Sequence, residues 1–218
     1  MPNLSYSGAM TLSQQMDAIE LAKYRRRALP DTPEARAYVA MLAEVAAFQD
    51  ALVQANPTAE QVEQLTASLG EMRKILETQA VPEHERWYGR GESGGAETQV
   101  LMPTMTFEHV DDHELRATTT PGEYFMGMNQ AMHGGVISVL FDTAMGRLAM
   151  GTTMQICRTA YLTTHYRKVV PLNQQLDLLA KVDLHEGRKL FLTAELWHGD
   201  LLCAEADALF VEVRPGAQ

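Results

Sequence analysis

His133-Gly134-Gly135 stands directly before an apolar run, Val136 to Phe141 with only Ser138 polar, and Asp142 closes that run. A helix that starts at such a glycine pair presents backbone N–H groups with no intrahelical acceptor, and its dipole favours negative charge at that end. Glycine also lets a reacting carbonyl come close to the backbone. The turn therefore suits the oxyanion that forms when a carbonyl is attacked. A carboxylate inside an apolar run is costly unless it is paired or used, so Asp142 has the chemistry of a base or a nucleophile. On pattern alone, an acid that faces solvent or binds a backbone group explains Asp142 equally well. Asp142 lies eight residues after Gly134, about 12 Å along a helix, so one carbonyl carbon cannot touch both. Either the acid of one subunit works with the glycine turn of another, or the helix is irregular.

These groups need elements to hold them. Val136, Ile137, Leu140, Phe141, Ala144 and Leu148 predict a helix over 134–150, apolar round much of its circumference and therefore buried. Strands are expected at 156–169, 175–184, 189–197 and 201–213, with Glu186-Gly187-Arg188 and His198-Gly199-Asp200 as hairpin turns that place glycine at the strained position. Two shorter strand-like runs within 101–120 flank Asp111-Asp112, and a loop follows at Pro121-Gly122. Strands joined by tight turns pair antiparallel, so the expected fold class is α+β, an antiparallel sheet around one long helix.

The chain divides into a helical extension, 1–85, and a main domain, 86–218. In the extension, a first helix carries Leu12, Met16 and Ile19 and ends in Arg25-Arg26-Arg27 before Pro30. A second starts at Thr32-Pro33, aligns Met41, Val45, Phe48 and Leu52, and stops at Asn56-Pro57. A third opens with a Thr58/Gln61 capping box and repeats Val62, Leu65, Leu69, Met72 and Leu76. Residues 82–100, with Gly89, Gly91, Gly94 and Gly95, read as a connecting loop.

The stretch Asn129-Gln130-Ala131-Met132-His133-Gly134-Gly135 through Phe141-Asp142 resembles the start of the central helix in hotdog-fold thioesterases of the PaaI-like type, within the 4-hydroxybenzoyl-CoA thioesterase superfamily. Thr159-Ala160-Tyr161-Leu162 through Tyr166 to Leu172 resembles the strand that follows in that family, and Glu186 to Phe191 its next hairpin. The resemblance spans about residues 101–213. It implies a hotdog fold and hydrolysis of an acyl-CoA thioester to free acid and CoA, without a cofactor, in a homodimer or dimer of dimers whose sites cross the subunit interface. Asp142 is then the general base or nucleophile, the Gly134 amide the oxyanion donor beside Gly135, and Thr159 a hydroxyl that helps hold the attacking water. An ordinary strand threonine is the alternative for Thr159, and a simple cap is the alternative to an orienting role for His133. Many relatives carry Asn or Gln six residues before the histidine, where this chain has Gly127. Asn129 can stand in only if the loop takes a different path. Coenzyme A phosphates call for local positive charge, for which Arg167-Lys168 and Arg188-Lys189 are the candidates, solvated turn charge being the alternative. Met126, Met128 and Met132 suggest an adaptable apolar wall for the acyl group, or core residues.

Composition narrows the remaining classes. A net charge of −10 and a pI near 5.1 argue against a nucleic-acid partner. Two cysteines, Cys157 and Cys203, without a Cys-x-x-Cys pair give no disulfide framework or zinc site. Glu108-His109 with Asp111, Asp112 and His113 has metal-ligand chemistry without the spacing of a known site, so no metal is expected. With no signal segment and no run of about eighteen apolar residues, a cytoplasmic protein without membrane association is expected. The competing function is a non-catalytic acyl-CoA sensor carrying an amino-terminal DNA-binding segment. Residues 1–85 hold 7 Lys/Arg against 12 Asp/Glu, the wrong sign for that role. Helices that shield the acyl tunnel or support the oligomer are the preferred account of the extension.

Overall fold

The computed structural model describes residues 29–82, 85–90 and 100–214. The expected first helix with Arg25-Arg26-Arg27, and Gly91, Gly94 and Gly95 of the connecting loop, lie outside them. Helix α1 (Pro33–Gln54) begins where the local chemistry dictates, with Pro33 in its first turn and Thr32 Oγ1 accepting from Ala35 N at 3.2 Å. Helix α2 (Ala59–Glu77) carries the complete capping box: Thr58 N donates to Gln61 Oε1 at 2.9 Å, and Gln61 N to Thr58 Oγ1 at 3.4 Å. Among the described residues its apolar stripe finds no cover, and Val62, Leu65, Leu69, Met72 and Leu76 all remain exposed. Helix α1, by contrast, packs against a short 3-10 helix, Glu123–Phe125, in the loop that follows the second strand.

Six strands form one antiparallel sheet: β1 (Met105–Val110), β2 (Glu114–Thr119), β3 (Cys157–Tyr166), β4 (Leu176–Glu186), β5 (Lys189–His198) and β6 (Leu201–Glu212), in the order β1-β2-β4-β5-β6-β3. The tight turns sit where expected, with Gly187 at φ +59° and Gly199 at φ +57°, a region that glycine enters without steric cost. The sheet wraps helix α3 (Gly134–Thr153), whose Ile137, Leu140, Phe141, Ala144, Met145 and Leu148 are buried. The hotdog architecture is thus present. Alternating residues of the central strands face the helix, Leu190, Leu192, Ala194 and Leu196 on β5 and Ala204, Ala206, Ala208 and Phe210 on β6. The alanines let the helix sit close, and a Cβ at Gly146 would lie 3.3 Å from the Phe210 ring. Burying each large apolar side chain here stabilises the fold by about 1.5–3 kcal/mol. Helix α3 runs past the expected end at Met150 because Gly151 does not terminate it. Thr152 and Thr153 bond back to Leu148 O and Ala149 O, and Met154 at φ +54° provides the left-handed stop.

Candidate active site

At the start of α3, His133 is the N-cap, with Nδ1 accepting from Gly135 N at 3.0 Å. His133 O accepts from Val136 N and Ile137 N. The Gly135 amide is therefore committed to the cap. Among the described residues the Gly134 amide has no such acceptor, which leaves it as the free donor at the positive end of the helix. Tyr166, the last residue of β3, presses its ring on Gly134, where a Cβ would come within 3.1 Å of the ring. Its hydroxyl donates to Gly134 O at 3.0 Å and lies 3.3 Å from Ser138 Oγ, which is 2.9 Å from Thr164 Oγ1. Sequence reasoning assigned no role to Ser138, Thr164 or Tyr166. The two-residue spacing of Thr164 and Tyr166 was the signal that they share a strand face.

Two turns further along α3, Asp142 is half-buried and its Oδ1 accepts from Thr159 Oγ1 at 2.7 Å. A bulge makes this contact. Thr159, Leu162, Thr164 and Tyr166 oppose the helix-facing Phe210, Ala208, Ala206 and Ala204, with the register shift falling between Thr159 and Tyr161. Were β3 regular, Ala160 would oppose Phe210 and Thr159 would point to the other face. Burial pushes the neighbouring Cys157 thiol above its ordinary pKa, which keeps it protonated and a poor nucleophile.

The remaining predicted residues are spread out. Asn129 and Gln130, at φ +54° and +60°, are the central pair of a tight turn closed by Ala131 N to Met128 O at 3.1 Å. Asn129 is exposed at its tip and, among the described residues, has no hydrogen bond to His133, Gly134 or Asp142. Gly127 is explained by a close approach, since a Cβ there would lie 3.1 Å from His133 Cα. A longer side chain at that position would collide with the turn it is meant to serve. Met132 is buried, whereas Met126 and Met128 are exposed. Arg167 pairs with Glu205 and is next to Tyr166, at the Gly134 end of the sheet. Arg188 donates to Glu212 O at 2.8 Å and is near Cys157, at the Asp142 end. The two basic pairs therefore do not form one cluster in a chain, although exposed Lys168 and Lys189 remain available at the two ends. Asp111 is occupied by the β1–β2 turn, accepting from His113 N and Glu114 N. No trio of His, Cys, Asp or Glu among the described residues could hold a metal ion.

Against this geometry, the profile of the thioesterase superfamily matches residues 129–204, from the tight turn to the fourth residue of β6. The matched segment contains the glycine turn, Asp142 and Thr159. The chain is 31% identical over 123 residues to bovine (Bos taurus) acyl-coenzyme A thioesterase THEM4, covering 56% of this chain and 50% of that protein. It is 34% identical over 97 residues to the Xenopus laevis protein of the same name, covering 44% and 43%. The chain thus spans about half the length of these relatives. Among solved structures, the thioesterase superfamily protein RHA08564 superposes with a TM-score of 0.68 at 24% identity, covering 85% of this chain and 93% of that one. The shared fold therefore extends beyond the thioesterase-superfamily segment into the helical extension.

Proposed function

We propose that the protein is an acyl-CoA thioesterase, hydrolysing its substrate to a carboxylic acid and CoA at a site shared by two subunits. The Asp142–Thr159 hydrogen bond carries this reading, because it supplies a positioned carboxylate on the same helix as a free oxyanion donor yet out of its reach. With one hydroxyl on Oδ1, Asp142 takes a proton from water as the oxygen attacks the thioester carbon. Direct attack by the carboxylate is the alternative route. The carbonyl oxygen gains negative charge and is met by the amide of the partner subunit's Gly134. The C–S bond then breaks and the CoA thiolate takes the proton back from Asp142. Strand β3 supports the dimer: it is a ten-residue sheet edge, largely exposed, including Tyr161 and Tyr166, and such an edge is a template for another chain. Lys168 and Lys189 are the cations offered to CoA phosphates. The names of the THEM4 relatives support acyl-CoA as the substrate class.

A thiol-release assay over short, long and aromatic acyl-CoAs tests the reading. Wild type is expected to release CoA from at least one class. Asp142→Ala should lower kcat by about 10²–10⁴-fold with unchanged folding. Equal turnover by both would remove Asp142 from the mechanism, and wild-type binding without turnover would favour the sensor.

A further inference from the structure

The 3-10 helix Glu123–Phe125 has no side-chain cap from its own neighbourhood. Its Tyr124 amide donates instead to Asp50 Oδ1 at 2.7 Å, from helix α1, 74 residues away in sequence. Gly122 makes room for this contact, since a Cβ there would overlap the Asp50 carboxylate. On the other side Asn173 holds the same segment, its amide donating to Pro121 O at 2.8 Å and its side chain to Glu123 Oε1. The segment leads straight to the oxyanion turn: His133 N donates to Phe125 O at 2.8 Å, Met126 bridges Met132, and Gly127 N donates to Ala131 O at 2.8 Å. His133 in turn caps α3 and leaves the Gly134 amide open.

From this chain of contacts we infer that Asp50 is a positioning residue for the Gly134 oxyanion donor, with α1 bracing the loop that carries it. The inference rests on the thioesterase reading. It gives α1 a role in the rate of the reaction, beyond shielding or assembly. Asp50 touches neither substrate nor reacting atoms; it acts through Tyr124, Phe125 and His133.

The test uses the full chain with Asp50→Ala, Asp50→Asn, Gly122→Ala and the double variant Asp50→Ala/Gly122→Ala. Steady-state kinetics and hydrogen exchange of the peptide covering 121–135 are read together. Asp50→Ala is expected to lower kcat about tenfold, with KM within about twofold, and to speed exchange in that peptide while the sheet stays protected. Asp50→Asn keeps an oxygen acceptor for Tyr124 and should retain most of kcat. Gly122→Ala should reproduce Asp50→Ala from the opposite side, with the double variant no worse than either. Unchanged kcat and exchange in Asp50→Ala would overturn the inference. So would an Asp50→Asn variant as impaired as Asp50→Ala. If wild type turns over no acyl-CoA, the thioesterase reading fails, and unaltered exchange in Asp50→Ala then overturns the bracing role on its own.

Discussion

Thr159 and Asp142 form the contact on which the proposed chemistry rests, and they were unequally visible in the sequence. Asp142 stands out because a carboxylate ending an apolar helical run demands an explanation. Thr159 is one of several strand threonines, and only the family resemblance singled it out. Its orientation follows from the β3 bulge, which no local residue pattern announces. Its hydroxyl holds the carboxylate oxygen at 2.7 Å, and hydrogen bonds to charged groups contribute roughly 1.5–3 kcal/mol. Thr159→Ala should therefore lower kcat about 10–100-fold, with Thr159→Ser restoring most of it. Thr159 is exposed on the edge strand, so the melting temperature should barely move. A loss of activity that tracked a loss of folded protein would argue for a packing role instead. His133 shows the converse: its capping role is local geometry, and the structure shows the histidine ring engaged with Gly135.

The elements were legible wherever their chemistry is local. The two described extension helices begin at the caps their sequences specify, and the hairpin glycines adopt positive φ because no other residue enters that region as readily. The loop between β2 and α3 was not legible, because Asp50 and Asn173 fix it from distant parts of the chain. The β1–β2 turn has a titration that can be checked. Asp111 accepts from His113 N and Glu114 N, with His109 beside it, and these bonds lower its pKa from 3.8 to about 2. The folded state releases this proton more readily than the unfolded chain, so the stabilisation is complete above about pH 4 and disappears as pH falls through about 2. Asp111→Asn keeps the shape without the titration. In urea unfolding, the wild type's advantage over Asp111→Asn should be constant from pH 7 to 5 and shrink towards pH 2.5. An advantage that does not change with pH would show that the carboxylate's charge contributes nothing to the turn.

On the scale of the whole molecule, the proposed mechanism divides the site into two halves carried by one helix–strand pair. Gly134 meets Tyr166 in one half, and Asp142 meets Thr159 in the other. Eight helical residues separate the glycine from the acid, about 12 Å, so a second chain antiparallel to the first would bring unlike ends together. This arrangement predicts complementation between two disabled proteins. Asp142→Ala removes the acid. Gly134→Pro removes the amide hydrogen at a first helical position that accepts proline; its Cβ would lie 3.1 Å from the Tyr166 ring, which must give by a few tenths of an ångström, and His133 at ψ 129° already has the extended backbone that a residue before proline requires. Each variant alone should be nearly inactive. After unfolding and refolding together in equal amounts, half the dimers are mixed, and each mixed dimer holds one intact site and one doubly damaged site. About a quarter of wild-type activity should therefore return. If both residues served one site within a single chain, mixing would restore nothing. Mixed without unfolding, the two folded variants would complement only as fast as subunits exchange, so that time course measures how long the dimer lives.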